Sequence, residues 1–339
     1  MNINFKNARN HIPQKTPPIW FMRQAGRYHR HYQGMRSKYD FKTLCVQPEL
    51  AAEVALGPIQ DFDFDVSILF SDLLFPLEGL GFGLNYGDKG PELTKDLMFA
   101  KKLSKKDIPK AIEFLDFQAK ALRLTREALP KTKSLIGFVG GPWTLFVYAS
   151  EGHHAGGLKK AKSDYFVFKD FFILLKDLMK ENIRMQLAAG AEVVMIFDTA
   201  AGEVNPLFYQ AEIEPSLIEL ANEFPYRVGY YSKQTFPEFL SPAMRSAHWA
   251  GFGFDHRVNL PTEFKKFNTG FLQGNFDQSL LFLPSATFEK ELYRYLAPLK
   301  ELSVEQRSGW VCGLGHGVLP MTPEDNVRSF VDIVRRELS

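Results

Sequence analysis

The densest run of chemistry-bearing residues is Pro18-Ile19-Trp20-Phe21-Met22-Arg23-Gln24-Ala25-Gly26-Arg27-Tyr28. Arg23 and Arg27 are four residues apart, so a helical turn would put both guanidiniums on one face. Arg36 could join them from the following segment. Guanidinium forks bind carboxylates in a bidentate geometry that lysine does not reproduce. Gly26 removes a side chain where a ligand would approach the backbone closely. The pattern predicts a ligand bearing several carboxylates or phosphates; the bland alternative is a basic helix facing solvent.

Further polar residues follow short apolar runs. The run at 66–70 ends in Ser71-Asp72, and that at 134–139 leads through Gly140-Gly141-Pro142-Trp143-Thr144 to Tyr148. The run at 192–197 ends in Asp198-Thr199, 227–231 in Ser232-Lys233, 249–254 in Asp255-His256, and 309–313 in Gly315-His316-Gly317. Residues of these types after a strand often only form turns or cap helices. Six such ends in one chain fit a shared mouth.

The elements that must position these groups alternate. Strands are expected at the runs just named and at 269–272. Helices are expected at 48–60, 165–189 (ending at Gly190), 206–222, 234–245, 286–299 and 323–338. Repeated βα units imply a parallel sheet, and seven or eight of them suit a single-domain (β/α)8 TIM-type barrel over residues 1–339. In such barrels the chemistry sits at the C-terminal ends of the strands. The eighth strand has no clear place. Residues 82–93, with Asn85, Gly87 and Gly90, read as a hairpin inserted in an early loop.

Composition excludes several functions. The 339 residues are 45% hydrophobic with a net charge of +2, which favours neither nucleic acid nor membrane as partner. Residues 1–42 carry Lys6, Arg9, Lys15, Arg23, Arg27, Arg30, Arg36, Lys38 and Lys42 against Asp40 alone. This bias reads as an anion-binding surface or a solvated basic arm. A transit peptide is disfavoured, because the stretch is poor in Ser and runs into site sequence. Cys45 and Cys312 are the only cysteines, so a reducing, cytoplasmic setting is expected, with no disulfide framework. No run reaches the length of a membrane span. There is no dinucleotide or P-loop fingerprint. His153 and His154 stand in a glycine loop with no evident third metal ligand, and Cys312 with His316 does not make a zinc site.

The segment at 22–28, together with 137–145 continuing to Tyr148 and Glu151-Gly152, resembles the signatures of the uroporphyrinogen decarboxylase family. Phe70-Ser71-Asp72-Leu73-Leu74, Leu272-Gln273-Gly274-Asn275 and Leu314-Gly315-His316-Gly317 resemble further blocks of that family in the right order. The resemblance implies a (β/α)8 barrel, commonly a homodimer, with no metal or organic cofactor. It implies that Arg23 and Arg27 hold substrate carboxylates, that Gln24, Ala25 and Gly26 line the site, and that Arg36 is a further cleft arginine. Asp72 corresponds to the aspartate facing the pyrrole N–H groups, Tyr148 to the active-site tyrosine, and His316 to the histidine contacting a substrate side chain. Thr199 stands where the family usually has Ser. Asp255-His256 and Gln278 depart from the common Asp-Trp and Pro.

The implied reaction removes carboxyl groups from pyrrole acetates, with the protonated pyrrole as electron sink. An ionised Asp72 would favour the developing cation; its pKa must stay low enough for it to remain ionised, which N–H donors and nearby arginines would assist. Arg23 is the expected proton donor or its organiser, and Tyr148 the group orienting the acetate or Asp72. Two alternatives stand beside this reading. One is a zinc-dependent methyltransferase, which would need a His/Cys cluster. The other is a non-catalytic anion-binding barrel, which would need an extended basic stripe.

Overall fold

The computed structural model describes every residue except Asp88, Lys89, Ala155 and Phe236. The hairpin expected at 82–93, the loop at 153–157 and the helix at 234–245 therefore each lie partly outside the described residues. Seven strands form one curled parallel sheet: β1 Val66–Ile68, then, after a separate pair β2 Leu84–Gly87 and β3 Gly90–Leu93, β4 Ser134–Gly140, β5 Val193–Phe197, β6 Val228–Tyr231, β7 Gly251–Gly253, β8 Phe271–Phe276 and β9 Trp310–Leu314. Their order is β1-β4-β5-β6-β7-β8-β9, with β2 and β3 paired antiparallel. The strands are short, apolar and almost wholly buried, as parallel strands covered by helices must be.

The two edges of this sheet meet through residues 18–20. Cys312 N–H donates to the Pro18 carbonyl at 2.9 Å, and Trp20 N–H to the Cys312 carbonyl at 3.3 Å. On the other side Asp65 N–H donates to the Ile19 carbonyl at 2.9 Å, and Ile19 N–H to Asp65 Oδ2 at 2.8 Å. Two prolines precede Ile19, which is why the segment does not read as a strand from its sequence.

Side chains alternate across the sheet with period two. Val66, Ile136, Val193, Met195, Tyr231 and Val311 pack with Trp20 inside the curl. Leu135, Val139, Val194 and Ile196 face the other way and join the outer core, which includes Leu175, Leu178 and Ile183 of the helix Lys169–Ala188. The helix Ile3–Arg9 closes the floor: Phe5 and Ala8 are fully buried in the inner cluster. Asn2 caps this helix and ties it to the strand starts, donating from its main chain to Ser134 Oγ at 2.9 Å and from its amide to Asp65 at 3.2 Å. Part of the basic arm is thus structural.

Several expected helices differ. The long one begins at Lys169, because residues 165–168 turn after the short helix Lys159–Asp164. The stretch at 206–222 is interrupted by a π-turn at Tyr209–Ile213, just before Pro215, which cannot donate a helical bond. Prolines likewise split 234–245 into Pro237–Phe239 and Pro242–Ser246.

Candidate active site

Arg23 follows the edge-closing segment, so it stands at the end of a strand-like stretch as Asp72 does after β1. The backbone at 21–28 is a series of turns, not the helical turn expected to align Arg23 with Arg27. Gln24 N–H closes on the Phe21 carbonyl at 3.1 Å and His29 N–H on the Gly26 carbonyl at 2.9 Å. Arg23 itself has φ of 58°, which breaks helical phase. Its stem crosses to the β9 loop: a Cβ on Gly317 would lie 2.5 Å from Arg23 Cδ. Val318 N–H donating to the Met22 carbonyl at 2.9 Å fastens the two loops. Arg23, Arg27 and Arg36 are all exposed. Arg36, on the helix Arg30–Arg36, donates to the Tyr39 carbonyl at 2.6 Å. None of the three forms an ion pair among the described residues, whereas nearby Arg30 and Arg328 share Glu324.

Gln24 lies beneath the surface rather than on it. Its side chain accepts from Phe21 N–H at 3.2 Å and donates to the Val66 carbonyl at 3.0 Å, while Tyr28 donates to its main-chain oxygen at 2.8 Å. It fastens the arginine turn to β1. Ala25 and Gly26 are half-buried beside it.

Asp72 keeps some accessible surface but is hemmed in by protein. Its Oδ1 accepts Leu74 N–H at 2.8 Å. Burial pushes its carboxyl up to about 6, against the opposing pull of that N–H and of Arg23. At that value it is still mostly ionised at neutral pH, with the N–H donor and Arg23 acting in the expected direction against burial. The Tyr86 phenol, brought by β2, is buried beside it. Tyr148 rides on the helix Pro142–Glu151. Burial raises its phenol and the Asp72 charge adds to that, so it stays protonated. Thr199, half-buried, follows Asp198 at the end of β5.

His316 closes the opposite side. Its Nδ1 is 3.0 Å from the Tyr231 hydroxyl, which also lies 2.8 Å from the Gly315 carbonyl, and the two rings stack at 16°. One phenolic proton cannot serve both. When it goes to Nδ1, Nε2–H remains to donate to a ligand. Burial, helped by Arg23 and Lys233, lowers the imidazole to about 4, so it is neutral near pH 7. Tyr231 and Tyr86 were missed in the sequence. Tyr231 could have been found, because period-two alternation from Gly229 points it into the curl. Tyr86 carried no signal.

Other groups are accounted for elsewhere. His154 Nε2 lies 2.5 Å from Glu203, and His153 is exposed. Cys45 and Cys312 are buried free thiols. Among the described residues no group of three or more His, Cys, Asp or Glu side chains could hold a metal, and no helix is long and apolar enough to cross a membrane. A cavity of about 670 Å³ lies between residues 256–265 and the helix Ser285–Lys300. It includes His256 but none of the expected site residues. Asp255 is consumed by Gln234 N–H at 2.7 Å and by Arg257 at 3.0 Å. Gln278 opens the short 3₁₀ turn Gln278–Phe282.

The family model described as uroporphyrinogen decarboxylase (URO-D) matches residues 2–337. The chain belongs to the uroporphyrinogen decarboxylase family. Among relatives of this family, the uroporphyrinogen decarboxylase of Pelobacter propionicus is 33% identical, covering 99% of both chains. That of Myxococcus xanthus is 32% identical over 99% of this chain and 97% of its own. Among solved structures, a methyltransferase from Methanosarcina mazei superposes with a TM-score of 0.76 at 17% identity, covering 99% of this chain and 98% of that one. A B12-independent methionine synthase from Shewanella gives 0.58 at 9% identity, covering 95% and 96%. At such identities these two structures speak for the fold alone.

Proposed function

We propose that this chain is a carboxy-lyase that converts the four acetate side chains of uroporphyrinogen III to methyl groups, yielding coproporphyrinogen III and CO2 in porphyrin biosynthesis. The observation that carries the reading is the placement of Asp72: a crowded carboxylate beside Tyr148, under Arg23, with Arg27 and Arg36 unpaired with any acid among the described residues.

The chemistry follows from the substrate. Protonation of a pyrrole carbon makes the ring an electron-poor cation. The acetate C–C bond then breaks, its electron pair flows into the ring, and CO2 leaves. The exocyclic carbon takes a proton to become methyl and the ring returns its own, so each acetate consumes one proton net. Asp72, ionised, faces the pyrrole N–H groups and stabilises the cation. Arg23 organises proton delivery at the reacting acetate and Tyr148 orients it. Arg27, Arg36, Thr199 and His316 place the remaining carboxylates, with Ala25 and Gly26 lining the wall over Gln24. The pyrrole is the electron sink, so the reaction as written requires no metal or organic cofactor.

We read residues 18–20 as the eighth stave of a (β/α)8 barrel, the β2–β3 pair as an insertion in an early loop, and residues 1–339 as one domain. A cytoplasmic homodimer is the assembly we propose, without nucleic-acid or membrane partners.

The test is anaerobic incubation of the chelator-treated protein with reduced uroporphyrinogen III. Stepwise appearance of seven-, six-, five- and four-carboxylate products is expected. Folded protein that releases no CO2, but acts once zinc and a methyl donor are supplied, would replace this reading with the methyltransferase one.

A further inference from the structure

One buried acid at the mouth takes no part in the roles above. Asp198 follows β5, directly before Thr199, and is fully buried. Its Oδ1 accepts two bonds from Thr144, from the main-chain N–H at 2.8 Å and from the hydroxyl at 2.7 Å. Thr144 Oγ1 in turn accepts Ala200 N–H at 3.1 Å. Gly141 N–H donates to the Phe197 carbonyl at 2.8 Å.

The helix Pro142–Glu151 has no cap of its own, because Gly141 precedes it and offers no side chain. First-turn N–H groups lack intrahelical partners and favour a negative charge. Asp198 supplies both the acceptor and the charge from the neighbouring strand. The fit is close: any side chain on Gly141 would strike the Asp198 carboxyl group. Thr144 and Tyr148 are four residues apart and so lie on one face of the helix. The bond that fixes Thr144 therefore fixes the phase and depth of Tyr148.

We propose that Asp198 is a positioning residue for the decarboxylation: by capping this helix from β5, it sets where Tyr148 stands relative to Asp72 and where Thr199 enters the mouth. The inference rests on the proposed activity. Asp198 Oδ2 and the Tyr209 and Tyr230 hydroxyls are buried without a hydrogen-bond partner among the described residues. An amide at position 198 can keep both Thr144 bonds through its oxygen.

Asp198→Ala, Asp198→Asn and Thr144→Val are made alone and together with Tyr148→Phe, and steady-state acetate loss is measured. Asp198→Ala is expected to lower kcat about tenfold with KM changed less than about threefold, since small displacements of an orienting group act on the rate. Asp198→Asn should keep at least about a third of the rate by the same argument. In the Tyr148→Phe background the further loss from Asp198→Ala should shrink below about threefold, because the two act as one unit. Equal losses in both backgrounds, or full activity of Asp198→Ala, overturn the proposal. Thr144→Val gives the same comparison should Asp198→Ala not fold. If the unmodified chain does not turn over, the activity reading falls, while a crystal structure of Asp198→Ala, or of Thr144→Val should that one not fold, still decides this one. A Tyr148 hydroxyl displaced by about 1 Å or more is expected; an unmoved one overturns it.

Discussion

The proposed reaction asks Asp72 to do two jobs with one carboxylate. One oxygen forms an ordinary turn with Leu74 N–H, the role that sequence statistics favour for Asp after a strand. Crowding keeps the group only just ionised at neutral pH, with its carboxyl at about 6. The native state therefore binds more protons than the unfolded chain between about pH 4 and 6, and stability falls as pH rises through that window. Asp72→Asn should lose turnover by about a hundredfold or more. It should also gain stability of roughly 2 kcal/mol at pH 8, discounted because the side chain keeps some exposure, and roughly half as much at pH 5. Urea unfolding at the two pH values checks this; an unchanged difference would place the cost elsewhere. For the active enzyme, kcat should fall below about pH 6. Residue type and spacing alone pointed to Arg23 and to polar strand ends such as Asp72 and His316, while the roles given to Asp72, Tyr148 and His316 came from the family resemblance. Tyr86 meets Asp72 only because the β2–β3 pair folds back over the end of β1, and Asp198 meets Thr144 across 54 positions; no local pattern encodes either contact.

At the scale of elements, strand ends were legible because buried parallel strands are short apolar runs punctuated by polar turns. Helix interiors were less so. Pro215 and Pro242 split expected helices, and the arginine turn could not be read as non-helical, since the β9 loop to which it is bonded lies far away in sequence. That loop makes Gly317 a sensitive position. Gly317→Ala needs no unusual backbone angle, yet its methyl would push the Arg23 stem aside. The chain should remain folded by circular dichroism while kcat/KM drops about tenfold, the penalty of an Ångström-scale misplacement. Wild-type kinetics from this variant would show that Arg23 reaches its working position independently of the β9 loop.

For the whole molecule, a net charge of only +2 hides three exposed guanidiniums, Arg23, Arg27 and Arg36, without acidic partners among the described residues. A polycarboxylate should be drawn to them by a field that salt screens, with a Debye length near 10 Å at 0.1 M. Raising NaCl from about 50 to 500 mM should increase KM several-fold and leave kcat nearly constant. Arg27→Ala should raise KM and flatten that salt dependence. A KM indifferent to both would remove Arg27 from the carboxylate clamp. The curl is joined by residues from both ends of the chain: residues 18–20 bond to Asp65 on one side and to Cys312 on the other. During synthesis the ribosome delivers the first of these partners early and the last only about 250 residues later. Until Trp310–Leu314 emerges, the nascent chain carries an unpaired sheet margin, an invitation to chaperones and to its own neighbours. Premature stops late in the message should therefore yield not a weakened enzyme but an insoluble one.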